Sequence, residues 1–458
     1  MTHSTTTGYV KIISITSPTV AVAEVMATLG NTTATSDWRE GAWSIKNGFP
    51  SCGAFYEQRL CVACTDNDPD GVWGSRPTEY EDFTPGTLAA DAFSYKLQSD
   101  IVKWLSPMGQ LVVGSVDSEF RLGAGSDAIL DATSVKMTPQ SRKGSAALDA
   151  VNLGSSILFG QRCGDPANYA RKIRELTYDY TSDSYLGNDL TLFAEHITGL
   201  GIVDMAWMSS PFSILWAVTA DGDLIGMTYE KEQKVLGWHK HPMDGLVESI
   251  CVIPGANQDE LWMIVKRTIN SVTKRYIEVM ADFDFGTDIK DAFFVDCGLT
   301  YDSSITATID GLDHLENETV DVLGDGVVQA QKVVTGGSIT LETPASKVQV
   351  GLPKERSYIE PMEFEGGNPE GTAQGKQKRI SNIAVRLYQT SGGKIGTTAA
   401  NIEDIKYPAG TTGLYTGLSQ DIAPLGGWQK DVSCIIEQPD PLPMTVIAIM
   451  PTYRTEGK

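Results

Sequence analysis

Apolar residues along the chain recur mainly at every second position, in short bursts such as Phe93, Tyr95, Leu97 and Leu261, Met263, Val265. That period is the period of a strand, whose successive side chains point to opposite faces, and stretches with helical spacing are scarce. Turn residues separate the bursts. Hairpin signals stand at Asp70-Gly71, Asp221-Gly222 and Asp325-Gly326, where a glycine can take the positive φ that tight turns require. The pattern predicts a mainly β chain.

A weak repeat runs through these bursts. A leucine just after a polar or Gly/Pro-containing turn recurs at Leu60, Leu111, Leu158, Leu215 and Leu261, at intervals of 51, 47, 57 and 46 residues. A second strand-like piece follows each, at residues 71–75, 119–122, 172–178, 223–229 and 275–280. A unit of this size with several short strands suits one propeller blade, whose sheet hides its faces by stacking on its neighbours. Residues 46–296 are therefore expected to form a β-propeller of five or six irregular blades; a large sandwich with coincidental spacing is the alternative.

Additional small β-domains are expected on the N- and C-terminal sides. Residues 1–45 hold a hairpin in which Val10, Ile12 and Ile15 run up to Ser17-Pro18 and Val20, Val22 and Val25 return, too small to stand alone. Residues 297–352 read as a small β-module and residues 353–458 as a C-terminal β-region. Within that region, 365–378 is Gly-rich and polar, which predicts an exposed arm that contacts neighbouring copies or partners.

Composition narrows the function. At 458 residues, 41% hydrophobic and 21% charged, the chain can bury a large core, and disorder is excluded for most of it. Apolar runs such as 446–450 fall far short of the roughly 18 residues a membrane helix needs, so no membrane insertion by this chain is expected. Residues 1–9 carry no basic and then apolar leader, which predicts synthesis and folding in the cytoplasm. Acids outnumber bases 58 to 36, a net charge of -22 that argues against a nucleic-acid clamp. The seven cysteines, Cys52, Cys61, Cys64, Cys163, Cys251, Cys297 and Cys434, are an odd, scattered set, which predicts reduced thiols.

Candidate chemistry is thin. Cys61 and Cys64 form C-x-x-C inside a strand-like run, where residues three apart face opposite ways, and only Cys52 is near as a third thiol. Asp66, Asp68, Asp70 and Gly71 open like a calcium loop, but Pro77 stands where the bidentate glutamate belongs, so a solvated acidic turn is expected. His239 and His241 are two apart and share a strand face, yet no carboxylate completes a metal site. Glu195-His196 is an isolated pair. The tryptophans, Trp38, Trp43, Trp73, Trp104, Trp207, Trp216, Trp238, Trp262 and Trp428, mostly lie in apolar strands and are expected in the core. No nucleophile elbow, phosphate loop, H-E-x-x-H or dinucleotide fingerprint occurs. No catalytic, cofactor-binding or metal residue is assigned, no cofactor is expected, and the chain is not expected to be an enzyme.

Several segments in order resemble the tail nozzle (tail tubular) proteins of short-tailed bacteriophages. Residues 43–75 (WSIKNGFPSCGAFYEQRLCVACTDNDPDGVWGS) resemble the segment that opens the propeller in that family, as do 91–100 (DAFSYKLQSD) and 189–207 (DLTLFAEHI through GIVDMAW). Residues 214–241 (ILWAVTADGDLIGMTYEKEQKVLGWHKH) are the most similar stretch; 312–326 and 347–353 resemble the module that follows, and 376–396 match more loosely. The resemblance implies a structural virion protein: usually six copies in a ring at the distal end of the tail, beneath an adaptor ring and alongside tail fibres or spikes, with viral DNA leaving through the bore. Members of the family carry a further β-rich region ahead of the part matched by residues 8–43. Set against the family, this chain is expected to be a compact member, or one whose platform is partly missing or supplied by another chain. A wall of like charge suits DNA that must slide; the competing expectation is a local basic gate or grip from Lys376, Lys378 and Arg379. Two rival functions stay open: a carbohydrate-binding or carbohydrate-active propeller, and a receptor-binding tail module.

Overall fold

A computed structural model of the chain describes residues 2–3, 6–38, 41, 43–97, 100–123, 130, 132–133, 135–163, 169–181, 184–354, 357–363, 367–368, 371–372 and 375–455. Strands take up 56% of the chain and helix 2%, so the mainly β expectation holds. The ladders between strands are antiparallel, among them those of all five repeat strands. No helix among the described residues is long and apolar enough to cross a membrane. The chain divides into two compact units, Met1–Ser145 with Asp179–Tyr185, and Ala146–Tyr178 with Leu186–Lys458.

In the first unit, Cys52–Tyr56, Arg59–Ala63, Gly71–Gly74 and Phe93–Lys96 form one four-stranded sheet in chain order. Val102–Met108, Gln110–Ser115, Glu119–Gly123 and Lys136–Ser141 form the next. One core joins the two: Cys61, Ala63, Val72 and Phe93 from the first pack with Val102, Leu105, Leu111, Val113 and Leu122 from the second. Each of these sheets is apolar on its packed face, and burying that face on a neighbour is what holds so short a set of strands together.

In the second unit an eight-stranded sheet runs from Val151–Asn152 through Ser156–Arg162, Ala170–Asp179, Ile202–Met208, Ile214–Thr219 and Leu224–Glu230 to Val235–His241, with Ser184–Asp189 pairing Ala170–Asp179 off this path. Its halves meet through a single residue pair, Ala170 with Ile202, so it behaves as two blocks. Leu158, Ala170 and Ile173 of one block pack with Met205, Leu215, Ala217, Ile225 and Met227 of the other. The opposite face of the second block, with Ile214, Trp216, Val218 and Leu224, packs on Val247, Ile250, Leu261, Met263 and Val265. Those residues belong to the three-stranded sheet Leu246–Pro254, Asp259–Ile269 and Val272–Val279. Beyond it, Asp296–Asp310, Ser338–Leu352, Thr319–Gly324 and Val327–Val333 make a four-stranded sheet with its own core around Val320, Val322, Val348 and Val350. The C-terminal sheets are built around Lys378–Thr390, which pairs with Tyr415–Leu418 and Thr445–Thr455, and around Ser433–Gln438.

All five repeat leucines lie in strands, and each such strand pairs with the piece that follows it in the repeat. Arg59–Ala63 pairs with Gly71–Gly74, Gln110–Ser115 with Glu119–Gly123, and Ser156–Arg162 with Ala170–Asp179. Ile214–Thr219 pairs with Leu224–Glu230 and Asp259–Ile269 with Val272–Val279. Three strand glycines sit directly opposite a ring: Gly74 opposite Phe93, Gly114 opposite Trp104 and Gly226 opposite His239. A Cβ at these glycines would lie 2.2, 2.0 and 2.2 Å from the facing ring. The missing side chain is therefore the space the ring fills.

The expected arm, 365–378, falls partly outside the described residues. Its described pieces include the ladder of Gly367–Asn368 with Gly371–Thr372. Its last residue departs from the expectation. Lys378 is 2% exposed and opens the long strand Lys378–Thr390, with its N–H donating to the Gln429 carbonyl at 2.6 Å. Ile380, two residues on and therefore on the same side of the strand, is buried as well; Lys378 is core and not arm.

Candidate functional site

The strand Val235–His241 puts His239 and His241 on one face, and Gly226 on the neighbouring strand gives the first ring its room. His239 Nδ1 and His241 Nε2 are 2.8 Å apart, so one nitrogen donates a single proton to the other. Thr228 Oγ1 lies 3.4 Å from His239 Nε2, and the buried Trp216 ring meets both imidazoles edge-on. Burial lowers the pKa of both, that of His241 to about 3 with a further push from His239, so both are neutral near pH 7. A cavity of about 350 Å³ beside them is lined by Phe212, Ile214, Thr228, His239, Lys240, His241 and Phe283. No third ligand joins the pair, and among the described residues no group of three metal-ligating side chains gathers anywhere. Two neutral imidazoles bonded to each other and packed on a tryptophan tie three strands together. They present no charged partner that would activate a nucleophile or hold a metal.

The other sequence candidates separate. Cys61 is buried in the sheet core, which pushes its thiol up to about 12, while Cys64 has turned past the strand end at φ 62°. Cys52 donates to the Ala63 carbonyl from the adjacent strand. Asp66, Asp68 and Asp70 occupy the turn before Gly71–Gly74. Asp68 there pairs with Lys96, and its N–H donates to Thr65 Oγ1 at 3.0 Å. Glu195 opens the short helix Glu195–Thr198 and reaches Lys172 Nζ at 3.1 Å; Lys172 also holds Asp189 at 3.0 Å. Trp73, Trp104 and Trp216 are core residues, whereas Trp38 and Trp428 are 67% and 48% exposed and correct the expectation for those two positions. With Lys378 buried, the basic trio of Lys376, Lys378 and Arg379 does not form one exposed patch.

Buried charges lie at residues outside the sequence candidates. Arg267, 2% exposed, grips Glu278 through Nε at 2.6 Å and Nη2 at 2.8 Å and donates to the Asp244 carbonyl. Beside it burial pushes the Asp296 carboxyl up to about 6 and the Cys297 thiol up to about 12. Lys354, pushed down to about 8 by burial, lies 5.2 Å from the centre of the Phe294 ring. In the first unit, buried Arg59 donates to the carbonyls of Ser75, Asp91 and Ala89 at 2.6 to 2.8 Å. Buried Glu119 accepts from Ser145 at 3.1 Å and from Ser141. Arg267, Arg59 and Glu119 each tie neighbouring strands or loops, whereas Asp296 keeps one carboxylate oxygen buried without a hydrogen-bond partner. A signal for Arg267 and Arg59 was present: both stand in phase with the buried alternation Leu261, Met263, Val265 or Cys61, Ala63. A charge at an inward position must find partners inside.

No protein-family model and no curated protein matches the chain. Among solved structures it is similar to Raptor from Chaetomium thermophilum, at 13% identity and a TM-score of 0.33 over 65% of this chain; it spans 25% of the Raptor chain. A luciferin-regenerating enzyme aligns at 14% identity and a TM-score of 0.22, over 51% of this chain and 91% of the enzyme. A glycoside hydrolase family 43 arabinoxylan arabinofuranohydrolase from Bacillus subtilis aligns at 10% identity and a TM-score of 0.23, over 89% of this chain and 94% of the hydrolase. Similarity at these scores decides neither fold nor function.

Proposed function

We propose that this chain is a structural virion protein, a subunit of the ring that forms the distal nozzle of a short phage tail. Its successive sheets between residues 46 and 296 act as blades of a β-propeller, five by this count. What carries the reading is order. The five repeat strands fall in five successive antiparallel sheets or half-sheets, and neighbouring sheets share cores within each unit, over the span where the sequence resembles the nozzle family. Blade-on-blade burial is how a propeller sheet hides both faces.

Two further observations support it. Buried Arg59, Glu119 and Arg267 serve as ties between strands or loops, which suits a load-carrying scaffold. The net charge of -22 suits a passage from which duplex DNA is repelled and in which it stays mobile. In this reading the partners are further copies of the chain, the adaptor ring above and the DNA in transit.

Location tests the reading. Gold-labelled antibody against this chain, applied to the phage particles that carry it, is expected to decorate the tail tip alone. Label on fibres or its absence from virions would contradict the nozzle role, and turnover of a glycan panel by the purified chain would favour a carbohydrate-active propeller instead.

A further inference from the structure

The first hairpin of the chain, Val10–Ser17 with Val20–Val25, is exposed along nearly its whole length. It forms a sheet of two strands, and no ladder among the described residues occupies either outer edge. Its register sorts the residues by face. Val10 with Val25, Ile12 with Ala23 and Ile15 with Ala21 share one face, with Ile13 and Thr16 as the extra residues of two bulges. That face is wholly apolar, and Ile12, Ile15 and Val25 are 62%, 75% and 56% exposed. The other face carries the only charges of the two strands, Lys11 directly opposite Glu24.

Two free edges and an uncovered apolar strip make a hairpin that does not hold itself in water. The charge pattern says which surface completes it. If the edge of Val20–Val25 receives the Val10–Ser17 edge of another copy, related by rotation without slippage, Lys11 of that copy arrives beside Glu24. The apolar strips of the two then lie on the same face and abut. If like edges met about a twofold axis, neither charge would gain an opposite partner: with the axis at Lys11 or Glu24 like charges meet, and with the strands flush Lys11 lies opposite Thr16 and Glu24 opposite Ala21. The pattern thus favours the head-to-tail contact, the kind that closes into a ring and leaves no strand edge open.

We propose that these hairpins add edge to edge between copies of this chain, each Glu24 meeting Lys11 of the next copy, to form one continuous intersubunit sheet. The inference rests on the ring reading for closure, but its test is separate from the location of the chain in the virion.

The test uses the full-length chain and its charge-reversed variants Lys11→Glu and Glu24→Lys, followed by native mass spectrometry and sedimentation. Each single variant puts like charges at every contact and is expected to weaken copy-to-copy association about three- to tenfold per contact. An equimolar mixture restores every contact when the two variants alternate. Glu24 of the first variant then meets Lys11 of the second, and the lysine introduced into the second meets the glutamate introduced into the first. Mixed assemblies should therefore form although the pair inside each hairpin stays repulsive. Unchanged circular dichroism and melting of the single variants show that the fold is kept. A wild-type chain that stays monomeric at tens of micromolar, a mixture that associates no better than its components, or a hairpin protected by lipid vesicles in place of a second copy would each overturn the proposal. If the variants assemble normally while antibody still marks the tail tip, the hairpin contact is wrong and the nozzle reading stands.

Discussion

Arg267 shows what a buried charge does in this fold. With its guanidinium 2% exposed and bidentate on Glu278, removal of either partner leaves the other charged and uncompensated in the core. Arg267→Ala is expected to cost about 3–5 kcal/mol of stability in urea unfolding. The exposed pair Arg275 and Glu248 serves as the contrast: Arg275→Ala should leave the unfolding midpoint where it is. His241 gives a pH signature. Its value is about 3 in the fold against an ordinary 6.5, so the unfolded chain takes up the proton first, and the stability this residue contributes is full above pH 6.5 and lost as pH falls toward 3. Asp296, raised from 3.8 to about 6, works in the opposite sense: the folded chain binds its proton first, and that contribution is full below pH 3.8 and lost as pH rises through 6. Comparing His241→Gln with the wild type cancels Asp296. The stability difference between them should shift by about 2 kcal/mol in favour of the variant from pH 6.5 to about pH 5. A constant difference across that range would mean that His241 is not held neutral.

The strand pairs depend on glycine as much as on apolar residues. Gly114 faces Trp104, and a methyl group there would sit 2.0 Å from the indole. Gly114→Ala is therefore expected to cost about 1–3 kcal/mol in thermal or urea unfolding by overpacking. Gly237, also within a strand, has open space where its Cβ would be, and Gly237→Ala should be neutral or slightly stabilising. At this scale much of the fold was legible. Period-two alternation located the strands around Leu111, Leu158, Leu215 and Leu261, all fully buried, because one face of each sheet is packed. The His239 and His241 pairing was legible from their spacing; their burial was not, since it depends on Gly226 across the ladder and on Trp216 beneath. Arg59, Glu119 and Arg267 were missed because a charged residue in a strand reads as solvent-facing until its phase with the buried neighbours is checked. Lys378 was read as arm for a related reason: composition of the preceding Gly-rich stretch masked the start of the alternation Lys378, Ile380.

As a whole molecule the chain is a series of small antiparallel sheets that share cores within each unit, carrying 22 more acids than bases. The charge leads to an expectation about DNA. Duplex binding draws on lysines and arginines that displace condensed counterions, so the purified chain should show no sub-micromolar, salt-sensitive retention of duplex DNA in gel retardation at roughly physiological salt. Tight retention would mean that a local basic grip overrides the overall charge. The central claim, that this chain builds a ring with a passage through it, is tested most directly by electron microscopy of the purified full-length protein. The account predicts closed rings with an open axial channel in the class averages. Single compact particles, or open filaments without a bore, would contradict it.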